Sequence, residues 1–302
     1  MKLKPEKEIY IPNTSFRTPI LFLIFNRPDT TKQVFSAIQR ARPSRLYIAG
    51  DGSRPEQLNE DEICKITRSI ATNVDWNCEV KTLFQSQHLG CRLAVSMAIN
   101  WFFENEPEGI VLEDDCIPSQ SFFWFCQEIL EQFRQDMRIG AISGFYSNEI
   151  DYEPSASYFF SRYMRVWGWA GWRRTFEGYD SNLNTLIEKN NNWKSTIFSK
   201  KDFLLKRYFQ NMFDQVAHGK IDTWDTQLQY LLWQKKQQVI IPSKNLIRNI
   251  GWHKGAHSQQ KDHNHELPTS EIKFPLTTPN TFERDERADK EIELKSYKIT
   301  NL

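Results

Sequence analysis

The chain lacks most of the features that would place it quickly. No apolar run approaches the roughly 20 residues of a membrane-spanning helix, and the opening Met1-Lys-Leu-Lys-Pro-Glu-Lys-Glu holds no apolar stretch of a secretion signal. A mature cytoplasmic protein is therefore expected. Charge of one sign is missing too: 39 lysines and arginines face 38 aspartates and glutamates, so no overall field draws the chain to nucleic acid or to an acidic membrane. Any anion site has to be local. The cysteines (Cys64, Cys78, Cys91, Cys116, Cys126) are odd in number and without paired zinc spacing; they suggest neither a disulfide framework nor a structural zinc site. Small buried hydrophobes are their expected role. His253, His257, His263 and His265 crowd together late in the chain, the last two in a polar stretch that suits solvated loop side chains.

What is present is material for one sizeable core, since 39% of the 302 residues are apolar and 14% aromatic. The first half alternates strand and helix. Strand-length runs begin at Pro19, Leu46, Cys78, Gly109 and Ile139, separated by helical patterns over Thr30 to Arg40, Glu56 to Ala71, Leu93 to Phe103 and Phe122 to Phe133. Such alternation requires parallel crossovers, hence a layered α/β sheet with its site at the strand ends. Three of those ends carry chemistry: Asn26-Arg27, Asp51, and Glu113-Asp114-Asp115. An arginine there clamps a phosphate or pairs with an acid, and Asp51 can accept from a ribose or a base. Three adjacent carboxylates suit Mg²⁺ or Mn²⁺ carrying a phosphate-bearing substrate; the plainer alternative is a solvated acidic turn.

The second half changes texture. Trp167, Trp169 and Trp172, interleaved with Gly168, Ala170 and Gly171, follow no clean helix or strand period; their faces suit a sugar, with at least one expected to be simply buried. Lys201 to His218 reads as a packing helix. Another helix starts near Asp225, which is either an ordinary first-turn acid favoured by the helix dipole or, beside Trp224, a carboxylate able to take a proton from a hydroxyl. Asp222 is the alternative base. After a strand at Gln238 to Pro242, Asn249 to Ser258 forms a glycine-containing loop with cationic and imidazole donors that can fold over an anion. A loosely packed polar tail with a terminal helix is expected beyond residue 260. These divisions give an α/β half over 1–148, a second half of the same domain over 149–260, and the tail over 261–302.

Taken in order, these residues resemble nucleotide-sugar-dependent glycosyltransferases of the GT-A fold, in the branch of N-acetylglucosaminyltransferase I and its bacterial relatives. The Glu-Asp-Asp after an apolar strand, the arginine and aspartate after the first and second strands, the Gly-Trp element over Val166 to Arg173, the Trp-Asp pair and a Gly-x-x-Lys-Gly loop with a following histidine all have counterparts. The resemblance implies a GT-A, mostly parallel α/β sheet in which Asp115 ligates Mn²⁺ (or Mg²⁺) on the donor diphosphate while Glu113 and Asp114 contact the donor. It implies that Arg27 and Asp51 hold the uridine end, and that Arg92 touches the nucleotide. Trp224, Lys254 and His257 would complete the donor site, and Asp225 would be the base of an inverting displacement. The partners so implied are a nucleotide-sugar donor, UDP-GlcNAc first, and a glycan or glycolipid acceptor of polysaccharide biosynthesis. A lipid-linked acceptor would bring the enzyme to the inner face of the membrane. A sugar nucleotidyltransferase is one alternative, although no glycine-rich loop bearing Arg or Lys follows the first strand; a non-catalytic carbohydrate-binding protein, using the tryptophans alone, is the other.

Overall fold

The computed structural model describes residues 14–147, 154–183, 198–199, 202–251 and 267–299. Its axis is Ile20–Ile24 (β1), where every residue is buried because both sheet faces are covered. Ile20, Phe22 and Ile24 enter one core, and Leu21 and Leu23 enter the other. Parallel neighbours flank it, Arg45–Gly50 (β2) on one side and Glu108–Glu113 (β4) on the other, with Glu79–Phe84 (β3) parallel beyond β2. The rest of the eight-stranded sheet consists of Ile139–Ser143 (β6), Tyr158–Ser161 (β7), Trp169–Trp172 (β8) and Gln238–Pro242 (β9). The spatial order is β3-β2-β1-β4-β8-β6-β9-β7. Cys116–Pro118 (β5) and Ile247–Asn249 (β10) pair separately as an antiparallel ribbon beyond β4.

Helices cover both faces. Pro28–Ala41 (α1), Glu60–Thr72 (α2) and Gln120–Gln132 (α4) pack on one; Cys91–Asn105 (α3), the short Arg173–Phe176 (α5), Phe203–Ala217 (α6), Asp225–Gln234 (α7) and Glu286–Lys295 (α8) pack on the other. The molecule is thus an α/β protein with a mixed, mostly parallel sheet, as the alternation in the first half predicts. Among the described residues, no helix is long and apolar enough to cross a membrane.

Two segments depart from expectation. The tryptophan run is a strand, β8, inserted antiparallel between β4 and β6, with Trp169 facing one core and Ala170 and Trp172 the other. Trp169 and Trp172 are therefore core rather than sugar platform. Residues 267–299, expected as a loose tail, are docked. Asp285 caps α8 by accepting from the Ala288 amide at 3.0 Å, and Ala288 and Ile292 are buried on one face of the helix. Glu293 pairs with Arg162 at 2.5 Å and accepts from the Tyr163 hydroxyl at 2.7 Å, while Asp289 accepts from Ser161. Only two apolar residues mark that face within a charged sequence, so the hydropathy of the segment conceals it.

Candidate functional site

A cavity of about 1140 Å³ opens where β1, β2 and β4 end at their carboxyl termini. This is where a parallel sheet leaves a crevice, because the helices that follow each strand diverge from its end. Arg27 leaves β1 just before Pro28 opens α1, and its guanidinium reaches across to the end of β4. It lies 2.6 Å from Asp115 Oδ2 and 3.6 Å from Asp114 Oδ1. Asp114 also accepts from the Phe25 amide at 3.2 Å.

One cation does not balance this corner. Burial, then repulsion from Asp115, Asp114 and Asp225, pushes the Glu113 carboxyl well above the usual range, and Arg27 only partly offsets it. Burial likewise raises the Asp114 carboxyl to about 7 against the pull of Arg27. On Arg27 burial acts the other way, yet Asp114 and Asp115 outweigh it and hold the guanidinium firmly charged. The site therefore carries a surplus of negative potential that a further cation would relieve. Among the described residues no three His, Cys, Asp or Glu side chains converge as a ready-made metal cage. Such a cage is not required where a cation arrives with phosphates, since Mg²⁺-type ions commonly take one or two carboxylates and complete their shell from substrate and water. Asp115, whose side chain is 15% exposed to the cavity, fits that role.

Asp51, just past the end of β2, is tied down by the chain itself. Its Oδ1 accepts from the Gly52 and Leu89 amides at 2.8 and 2.9 Å, and its Oδ2 from the Gly90 amide at 3.0 Å with His88 Nδ1 2.8 Å away. A carboxylate has about four acceptor positions, and three backbone amides of the chain itself occupy three of them. Asp51 thus helps to shape the cavity wall that it lines. The side chains it leaves on that wall, His88 stacked on Phe25 at 5.3 Å and Arg54 with its guanidinium 5.6 Å from the Phe25 ring, were not singled out from the sequence. Arg54 lies three residues past Asp51, in the same turn, and that proximity was the available signal.

Trp224 and Asp225, which open α7, also line the cavity. Trp224 is 2% exposed and stacks on Trp169 at 6.1 Å, so most of its ring is floor beneath the cavity. The Asp225 Oδ1 accepts from the Thr223 hydroxyl and from the Thr226 amide at 2.7 Å, while its Oδ2 has no hydrogen bond among the described residues. Asp222 is engaged otherwise. It accepts from the Cys91 and Arg92 amides at 2.9 and 3.3 Å and so caps α3 across 130 residues of sequence, while Gly90 (φ +83°) packs too close for any side chain. Arg92 is drawn to Asn182 at 3.0 Å and toward Asp222 at 3.8 Å. It is not among the residues that line the cavity, although its neighbours Gly90 and Cys91 are.

Val166 and Trp167, before β8, line the cavity, so part of the Gly-Trp segment does reach it. Gly251 closes this corner: its backbone runs so near Asp115 that a Cβ would overlap the carboxylate, and the Ile250 amide donates to the Asp115 carbonyl at 2.8 Å. Lys254 and His257, the loop donors expected from the sequence, lie outside the described residues.

No family model matches the chain, and no curated protein matches it. Among solved structures it is similar to HddC from Yersinia pseudotuberculosis (11% identity, TM-score 0.34, covering 57% of this chain and 86% of that one). It is also similar to the glycosyltransferase GlyE of Streptococcus pneumoniae TIGR4 (8%, 0.35, 74% of this chain) and to apo mouse xyloside xylosyltransferase 1 (8%, 0.36, 73% and 83%). The chain spans only 45% of the length of GlyE. With overlays this loose, what the molecule does has to be read from its own cavity.

Proposed function

We propose that the protein is a metal-dependent, inverting glycosyltransferase of GT-A type that moves a sugar from a nucleotide diphosphate sugar, UDP-GlcNAc being the first donor to try, to a hydroxyl of a glycan or glycolipid. The observation that carries this is a single cavity lined by Arg27, the Glu113 to Asp115 carboxylates and Asp225. The Phe25 and His88 rings offer flat faces to a base at the cavity end nearest β2. Arg27, now held by Asp115, has the geometry to turn its fork to a phosphate. A Mn²⁺ or Mg²⁺ ion on Asp115 would supply positive charge to the departing diphosphate.

Asp225 is the base in this scheme. Thr223 and the Thr226 amide fix Oδ1, which leaves Oδ2 to accept the proton of an acceptor hydroxyl as its oxygen attacks the anomeric carbon. The bond from that carbon to the diphosphate breaks on the opposite face, so a single displacement inverts the centre.

The test is a pair of variants assayed against UDP-, GDP- and CMP-sugars with Mn²⁺. Asp115→Ala should lose metal-dependent nucleotide binding. Asp225→Asn should bind donor as the wild type does and transfer at least about a hundredfold more slowly, the usual scale for removing a general base. Full transfer by Asp225→Asn, or absence of nucleotide binding by the wild type, overturns the proposal.

A further inference from the structure

A second cavity, of about 170 Å³, lies behind Asp225 and shares Val166, Met212, Asp225 and Thr226 with the first. We propose that it is a subsite for one neutral pyranose ring of the acceptor, and that the C-terminal segment is part of it through Tyr297. The inference rests on the glycosyl-transfer reading above and specifies where that reaction takes its acceptor.

Size is the first constraint. An engineered protein cavity of about 150 Å³ holds one benzene ring, so this one has room for a single six-membered ring. Chemistry is the second. Tyr208, Phe209 and Tyr297 contribute aromatic walls, the Tyr297 ring lying 5.3 Å from Tyr208 and 5.2 Å from Phe209. Such walls match the C–H faces of a sugar. Polar atoms break the apolar surface at defined points. The Tyr208 hydroxyl has no hydrogen-bond partner among the described residues, and neither does Asp225 Oδ2. Gln229 is spent: its Oε1 accepts from the Met164 amide at 2.7 Å and its Nε2 donates to the Arg162 carbonyl at 3.1 Å, so it is fixed wall. A wholly apolar occupant would leave the Tyr208 hydroxyl and the Asp225 carboxylate unpaired. An anionic occupant would meet Asp225 directly. A neutral, polyhydroxylated ring satisfies both and brings a hydroxyl to the proposed base.

The wall contributed by Tyr297 is not a chance contact. Tyr297 follows α8 by two residues and packs edge-on against Tyr163 at 5.3 Å. The helix before it is held by Arg162–Glu293, Tyr163–Glu293 and Ser161–Asp289. The same contacts that dock the C-terminal segment therefore set the position of the ring.

Methyl pyranosides of common hexoses and of N-acetylglucosamine, probed by saturation-transfer NMR on the full chain in the presence of UDP and Mn²⁺, test this. At least one should bind the wild type. Tyr208→Phe, which deletes only a hydroxyl, and Tyr297→Ala, which deletes a wall, should each weaken that binding tenfold or more, with UDP-dependent thermal stabilisation unchanged. Should Tyr297→Ala fail to fold, Tyr208→Phe alone decides. Nucleotide binding with no pyranoside binding in the wild type, or with pyranoside binding unaffected by the variants, overturns this inference and leaves the glycosyl-transfer reading standing. Loss of nucleotide binding in the wild type overturns that reading instead.

Discussion

Glu60 illustrates how a single side chain can prepare the cavity from outside it. It begins α2, is almost fully buried, and accepts from the Arg54 guanidinium and amide and from Asn26 at 2.8 Å. The Arg54 side chain leads the causes that hold the Glu60 carboxyl down at about 2. The folded protein thus keeps this group ionised where the unfolded chain has already taken a proton. Its stabilising contribution is complete above the unfolded value of 4.5 and fades as pH falls from there through about 2. Because Arg54 is 38% exposed, solvent screens the pair, and Glu60→Gln should cost only about 1–2 kcal/mol at pH 7. Urea denaturation should show that gap narrowing by pH 3.5; a gap that widened would mean Glu60 is held by something other than its charge.

At the scale of elements, Asp222 and Asp225 separate two roles that their neighbouring positions blur. Asp222 satisfies amides at the first turn of α3, so Asp222→Ala should cost about 1 kcal/mol of stability, the usual worth of a cap, with turnover within a few-fold of wild type. Thermal melts and transfer assays on the same preparation check it, and a loss of turnover as large as that of Asp225→Asn would reassign the base. The alternating first half of the sheet was legible in the sequence because each strand is a buried apolar run and each helix is long enough to show its stripe. β8 was not: four residues are too few to display a period, and its tryptophans suggested surface recognition when their alternation across two cores was what mattered. Asp51 was legible in position but not in its local bonding, since a sequence shows a carboxylate at a strand end but not the three amides that fold back onto it. Asp222 hid its role for the same reason, as its partners lie 130 residues away. His88, Tyr208 and Tyr297 carry no motif and become visible only when the chain is folded.

For the molecule as a whole, the unbalanced carboxylates predict that metal and nucleotide bind together rather than separately. With UDP and Mn²⁺ each well above saturation, at about a hundred times the dissociation constant of the pair, stabilisation near 2.7 kcal/mol is expected. For a chain of 302 residues that is a rise in melting temperature of about 4 °C. UDP alone should give little, and Asp115→Ala should remove the difference made by the metal. Equal shifts with and without Mn²⁺ would argue that Arg27 alone carries the phosphates.

The docking of the C-terminal segment bears on what the border of the sheet presents to other molecules. β7 ends the sheet, and its Phe160 carbonyl accepts from the Asp285 amide at 2.8 Å while Ser157 bonds Thr277. Those contacts occupy backbone groups that an apolar border strand would otherwise offer to a second chain. A polypeptide cut short before Thr277 would present Tyr158–Ser161 bare along that border, an invitation to pair with its own kind and leave solution.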